Sequence, residues 1–107
     1  MTLFDDRKDA FEKQFAHDEA LRFKATARRN KLLGLWAAER LGKNGPEAEA
    51  YAKSVVQADF QEPGDADVVR KIRQDFEQAG KIVDEAELAV KLQELMAQAI
   101  EEIKAGR

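Results

Sequence analysis

Three phenylalanines, Phe4, Phe11 and Phe15, fall within a narrow arc when the first nineteen residues are wound at about 100° per residue. Asp5, Asp6, Arg7, Lys8, Asp9, Glu12, Lys13, His17, Asp18 and Glu19 cover the rest of that turn. The pattern predicts a helix whose apolar stripe is too thin to hold it to a core of its own. Residues 1–19 therefore read as a mobile, partly helical N-terminal arm, and residues 20–107 as a packed body. Within the body, the run Leu32-Leu33-Gly34-Leu35-Trp36-Ala37-Ala38 is apolar nearly all round, as in a helix buried on several sides.

Punctuation along the chain separates four helical segments. Thr2 followed by Asp5 is a variant of the capping box, and Asp5 and Asp6 suit the positive end of a helix dipole. Asp9 with Lys13, and Asp18 with Arg22, are acid-before-base pairs at i, i+4 spacing that support an isolated helix. The helical pattern continues to Leu41, where Gly42 is placed to end it. So long a span is expected to break or bend between Glu19 and Lys24. Asn44-Gly45-Pro46 forms a turn with proline at the first position of the next helix, carried by Ala48, Tyr51, Ala52, Val55 and Val56.

Pro63-Gly64 ends that second helix, and Asp65 is placed to cap a third, with Val69, Ile72, Phe76 and Ala79 on one face and Gly80 as its stop. The fourth has the clearest start. Asp84 and Glu87 form a capping-box pattern, Val83 and Leu88 occupy the positions of a hydrophobic staple, and Leu88, Leu92, Leu95, Met96, Ala99 and Ile103 make a continuous stripe. No segment alternates with the period of a strand. The expected fold is all-α: a four-helix bundle around Leu32, Leu35, Trp36, Val55, Ile72, Phe76, Leu92 and Leu95, with the N-terminal arm outside it.

Composition narrows the function. A chain of 107 residues has room for one core. It has no cysteine, which excludes thiolate metal sites and thiol nucleophiles and fits a cytosolic protein. The acidic start lacks the basic and apolar regions of a signal peptide, and no apolar run approaches the roughly 20 residues of a membrane span. Charge is uneven: six acids and three bases in residues 1–19, one acid and seven bases in 20–43, fourteen acids and eight bases in 44–107. Two readings of the basic segment stand. Lys24, Arg28, Arg29, Lys31 and Arg40 either pair with acidic helices of the same bundle or present a contact surface to an acidic partner.

The inventory for catalysis is poor. His17 has no cysteine to activate, no Glu-x-x-His motif supplies the ligands of a di-metal bundle, and there is no phosphate-binding loop. Glu85, Glu87, Glu94, Glu101 and Glu102 read as solvated helix faces. Neither an enzyme, a metal nor a cofactor is expected. The Arg28-Arg29-Asn30-Lys31 cluster is the sole candidate for nucleic-acid contact, and the acidic balance of the chain speaks against it. The arm weighs more. Burial of three phenylalanines offsets much of the entropy of ordering fifteen or so residues but adds little surplus, so the arm is expected to be labile alone and to bind where a partner's groove adds contacts.

Phe4-Asp5-Asp6-Arg7, Phe15-Ala16-His17-Asp18-Glu19, the long run from Ala27 to Glu39 (ARRNKLLGLWAAE), and Ala48-Glu49-Ala50-Tyr51-Ala52 followed by Val55-Val56 together resemble the zeta subunit family of alpha-proteobacterial F-type ATP synthases. The resemblance covers almost the whole chain and is most specific in the long run. It implies a small four-helix inhibitor of ATP hydrolysis, similar in role to the mitochondrial ATPase inhibitor protein.

It further implies that residues 1–19 become helical on insertion at a catalytic alpha/beta interface near the central rotor. The partner would then be the catalytic head, with its alpha, beta and gamma subunits, and the location cytoplasmic, peripheral to the inner membrane through the ATP synthase. Neither nucleic acid nor direct membrane insertion is expected. Thr2-Leu3 and Arg7-Lys8-Asp9-Ala10 depart from the common wording of the family and leave the aromatic stripe intact. On this reading Phe4, Phe11 and Phe15 are the anchors, Arg7, Lys8 and Lys13 make charged contacts, Asp5 opens the helix, and His17, whose ordinary pKa lies near neutral pH, can modulate the arm. A non-inhibitory assembly factor is the alternative.

Overall fold

A computed structural model describes residues 18–59 and 65–106 of the chain. Among these residues all regular structure is helical: α1 spans Glu19–Arg40, α2 Pro46–Ala58, α3 Ala66–Gln78 and α4 Glu85–Lys104. The chain is an all-α bundle, as its periodicity predicts.

Local chemistry sets the helix ends. Asp18 caps α1 by accepting the Leu21 N–H at 3.1 Å. The α1–α2 turn needs two glycines with positive φ, Gly42 at 78° and Gly45 at 52°, a region that side chains disfavour. Pro46 opens α2, where its missing N–H costs nothing. Asp84 caps α4 through the Ala86 and Glu87 N–H groups at 3.0 and 3.2 Å, while Val83 and Leu88 both pack into the core, completing the staple. Asp65 stands at the N-cap position of α3 but caps nothing with its side chain, which turns instead to Arg29.

Cross-helix pairs fix the direction of each helix. Arg40 with Glu87 and Arg28 with Glu102 run α4 antiparallel to α1. Tyr51 with Asp75 runs α3 antiparallel to α2, and Arg29 with Asp65 and Trp36 with Phe76 run it parallel to α1. The bundle is up-down-up-down with short turns. Its hub is α1, which packs against both α2 and α4, while α3 lies against α2.

At Gly34 the α1 and α2 backbones approach so closely that a Cβ there would lie 2.5 Å from the Ala52 Cα. Small residues line this seam, with Ala37, Ala38 and Ala52 fully buried. The core is built from Leu33, Ala37, Ala38, Tyr51, Val55, Val68, Ile72, Phe76 and Leu88.

The buried face of α1 is rotated from the expected one. Leu33 is fully buried, whereas Leu32, Leu35 and Trp36 are only half-buried, and in α3 Val68 lies deeper than Val69 while Ala79 is exposed. The reason is geometric: the Gly34 contact turns the small face of α1 toward α2, and the larger side chains flank that seam. Leu92 and Leu95 likewise pack at the core's margin. Trp36 stacks on Phe76 with centroids 6.5 Å apart and lies under the Arg40 guanidinium at 4.9 Å.

Candidate partner-binding surface

Every residue that the sequence nominates for partner contact, namely Phe4, Asp5, Arg7, Lys8, Phe11, Lys13, Phe15 and His17, lies outside the described residues. So do the Thr2–Asp5 capping box and the Asp9–Lys13 pair. Of the 1–19 arm, Asp18 and Glu19 are described, and they form the cap and first residue of α1. The carboxylate of Asp18 is committed to the Leu21 N–H and makes no ion pair with Arg22 among the described residues. An aspartate two residues before the first apolar position of a helix is itself a start signal, and the i, i+4 reading of Asp18 with Arg22 hid it.

The basic stretch is largely consumed by the bundle. Arg28 pairs with Glu102 at 3.7 Å, Arg29 with Asp65 at 2.7 Å and Arg40 with Glu87 at 2.6 Å. Lys24 and Lys31 are exposed and have no ion pair among the described residues. Arg22 is likewise exposed, so these two lysines and Arg22 are the exposed positive charges of the basic segment that no ion pair among the described residues consumes.

Arg29 is the organising charge. It is 4% exposed, and its Nε and Nη2 both donate to Asn30 Oδ1, at 3.1 and 2.8 Å, while Nη2 also reaches Asp65 Oδ1 at 2.7 Å. Asp59, at the end of α2, joins this group. Burial raises its carboxyl above the ordinary carboxylate range, and the negative charges of Asp65 and Asp67 add to the rise. The Asn30 amide and the Arg29 charge oppose them. The ion pair ties Asp65 to the middle of α1, and Asp59 lies close enough to feel the same charges.

Asp67, 6% exposed, takes Arg70 at 3.2 Å through Oδ1. Its Oδ2, Asp59 Oδ1 and Asn30 Nδ2 are buried without a hydrogen bond of good geometry. Spacing alone does not reveal this cluster, because its members come from three segments.

Two apolar grooves flank α1. One of about 400 Å³ is lined by Lys31, Glu49, Ala50, Lys53 and Val56, and one of about 440 Å³ by Arg29, Asp65, Leu92, Gln93, Met96, Ala97 and Ile100. A smaller cavity of about 100 Å³ lies among Phe23, Thr26, Ala27, Asn30, Val56 and Asp59. Among the described residues no three His, Cys, Asp or Glu side chains are grouped to hold a metal ion, and no helix is long and apolar enough to cross a membrane. Among the described residues the arrangement offers surfaces for macromolecular contact.

The family model described as ATPase inhibitor subunit zeta matches residues 1–102. A structure solved by solution NMR is 49% identical, superposes with a TM-score of 0.72, and matches over 81% of this chain and 99% of its own. No curated protein matches the chain.

Proposed function

The chain belongs to the ATPase inhibitor subunit zeta family, and we propose that it inhibits ATP hydrolysis by inserting its N-terminal arm at a catalytic alpha/beta interface of the F-type ATP synthase. The observation that carries this reading is the extent of the family match. It begins at residue 1 and so takes in the whole aromatic stripe together with the bundle.

Phe4, Phe11 and Phe15 supply anchors of the kind that dominate binding energy, large rings buried in a partner's groove. Arg7, Lys8 and Lys13 set orientation by charge, and Asp5 and His17 complete the contact face. The bundle holds the arm at high local concentration near its groove and adds Lys24 and Lys31 as exposed charges. A helix lodged in a rotary catalytic interface blocks the conformational cycle in the hydrolytic direction. The protein acts from the cytoplasm, held at the inner membrane through the enzyme it regulates.

The test is ATP hydrolysis by the cognate ATPase with three forms of the protein: the full chain, a version beginning at Asp18 so that α1 keeps its cap, and Phe11→Ala with Phe15→Ala in the full chain. Inhibition is expected from the first only, with all three showing the same bundle helicity. Undiminished inhibition by either altered form sinks insertion of the arm. Binding without inhibition by the full chain makes the protein an assembly factor that acts through its body.

A further inference from the structure

The basic residues of α1 divide by face. Arg28 and Arg40 reach α4 and Arg29 reaches Asp65 at the start of α3, and each holds a carboxylate there. Lys24 and Lys31 share another side of α1 with Phe23 and Ala27, at i, i+3 and i, i+4 spacing, and neither lysine has an ion pair among the described residues. Across the α1–α2 seam Lys53 is exposed and equally without an ion pair among the described residues, although Glu49 lies one turn earlier on the same helix.

The surface between these cations is apolar. In the 400 Å³ groove, Ala50 and Val56 lie with Lys31, Lys53 and Glu49. Val56 also lines the smaller cavity beside Phe23 and Ala27, so the two join into one trough along the α1–α2 seam. Phe23 stands toward the start of α1 with 59% of its surface exposed. From Phe23 to Lys31 the helix rises about 12 Å at 1.5 Å per residue, the length of two turns. An exposed ring beside an apolar trough floored by small side chains is a surface on which a partner helix can approach closely.

We infer that this trough is a docking surface of the body for an acidic amphipathic helix on the catalytic head of the ATP synthase. The inference rests on the reading that the ATP synthase is the partner, and not on insertion of the arm. An apolar stripe laid on Ala27, Ala50 and Val56 draws water away from Lys24, Lys31 and Lys53, so the occupant must bring its own carboxylates to three ammonium groups that the bundle leaves without ion pairs. Glu49, nearer the start of α2, repels acids at that end. The occupant's acidic positions therefore gather toward Phe23 and Lys53, which fixes the direction in which it lies.

The experiment uses the full chain with the purified cognate catalytic head and reads both affinity and inhibition. Lys24→Gln with Lys31→Gln and Lys53→Gln weakens binding about tenfold at about 50 mM salt and about twofold or less at about 300 mM. Inhibition at saturation stays complete, because the arm is unaltered. A control, Gln74→Glu with Gln78→Glu and Lys81→Gln, makes the same change in net charge at exposed positions of α3 and the turn after it, and binds within about twofold of the parent. Benzoylphenylalanine in place of Ala50, irradiated in the complex, attaches to a helix of the head that carries acids beside its apolar stripe, as mapped by mass spectrometry. The same group in place of Gln74 gives no such product.

Equal weakening by the control overturns docking at the trough in favour of long-range steering by net charge. Undiminished binding by the lysine variant overturns it as well. So does the absence of attachment from Ala50, or attachment within the chain, to a second copy, or to a segment without acids. Thermal unfolding of each variant confirms that the bundle is intact. A lysine variant that inhibits at the parent's concentrations leaves insertion of the arm standing and removes this surface. A parent that binds without inhibiting, with binding weakened in the lysine variant, removes insertion and keeps the surface, and a parent that does not bind the head removes both.

Discussion

Tyr51 on α2 donates its phenolic hydroxyl to Oδ2 of Asp75 on α3 at 2.8 Å, and the same oxygen accepts from Lys71 at 3.0 Å. The Lys71 ammonium lies over the Tyr51 ring, 5.2 Å from its centroid, closing a three-residue group. Burial pushes the Tyr51 hydroxyl well above its ordinary pKa, and the hydrogen bond to Asp75 and the charge of that carboxylate push it further. These effects favour the neutral hydroxyl, the form that donates to Asp75. Tyr51→Phe keeps the ring and removes the donor, and Asp75 retains Lys71. The expected loss is about 1 kcal/mol, near 5 °C in melting temperature, measured by thermal unfolding. An unchanged melting temperature would show that the pair contributes nothing.

Gly34 lies at the closest approach of α1 and α2. An added methyl would meet the Ala52 Cα at 2.5 Å and its Cβ at 3.1 Å, and because the nearer atom is backbone, the two helices must part. Overpacking of this kind costs about 1 to 3 kcal/mol, more than the gain of up to about 1 kcal/mol from replacing a mid-helix glycine. Gly34→Ala should lower the urea midpoint despite its better helix propensity. A raised midpoint would mean that the seam is loose.

Arg29 forks onto Asn30 and reaches Asp65 from a nearly buried position. Lysine supplies the charge but not the planar fork. Arg29→Lys is expected to cost about 1 to 3 kcal/mol in chemical denaturation, because Asn30 Oδ1, fully buried, loses its paired donors. Wild-type stability in this variant would show that charge alone suffices.

Asp59 carries a pH signature. Its folded-state pKa is raised above that of the unfolded chain, so the folded state binds the proton more tightly. Its contribution to stability is therefore greatest below the unfolded value of about 3.9 and declines as pH rises through the folded pKa. Asp59→Asn removes that dependence. The urea midpoint of the variant relative to the parent should rise between pH 4 and pH 7. A relative midpoint that falls over this range would contradict the direction of the shift.

Helix positions were legible wherever a single residue type carried the signal: Pro46 at the start of α2, Asp84 with Val83 and Leu88 at the start of α4, and Gly80 after α3. Asp65 was readable as a position and not as a role, because its side chain answers to Arg29, thirty-six residues away. The rotation of α1 was not readable. Leu32, Leu33 and Leu35 are chemically alike, and which of them faces inward depends on the Gly34–Ala52 approach. The nominated contact residues of the arm were chosen from the sequence and lie outside the described residues.

The sequence by itself determined the all-α class, the four helical segments of the body, most of their boundaries and the resemblance that leads to an ATPase inhibitor. These rest on periodicity, caps and turns, which act within a few residues. Only the tertiary structure decided that α1 is the hub, that Arg28, Arg29 and Arg40 are spent on partners within the bundle, and that Asp59, Asn30, Arg29 and Asp65 meet in one cluster. Such relations join residues distant in the chain, and side-chain type fixes what a group can bond to but not which neighbour folding brings within reach.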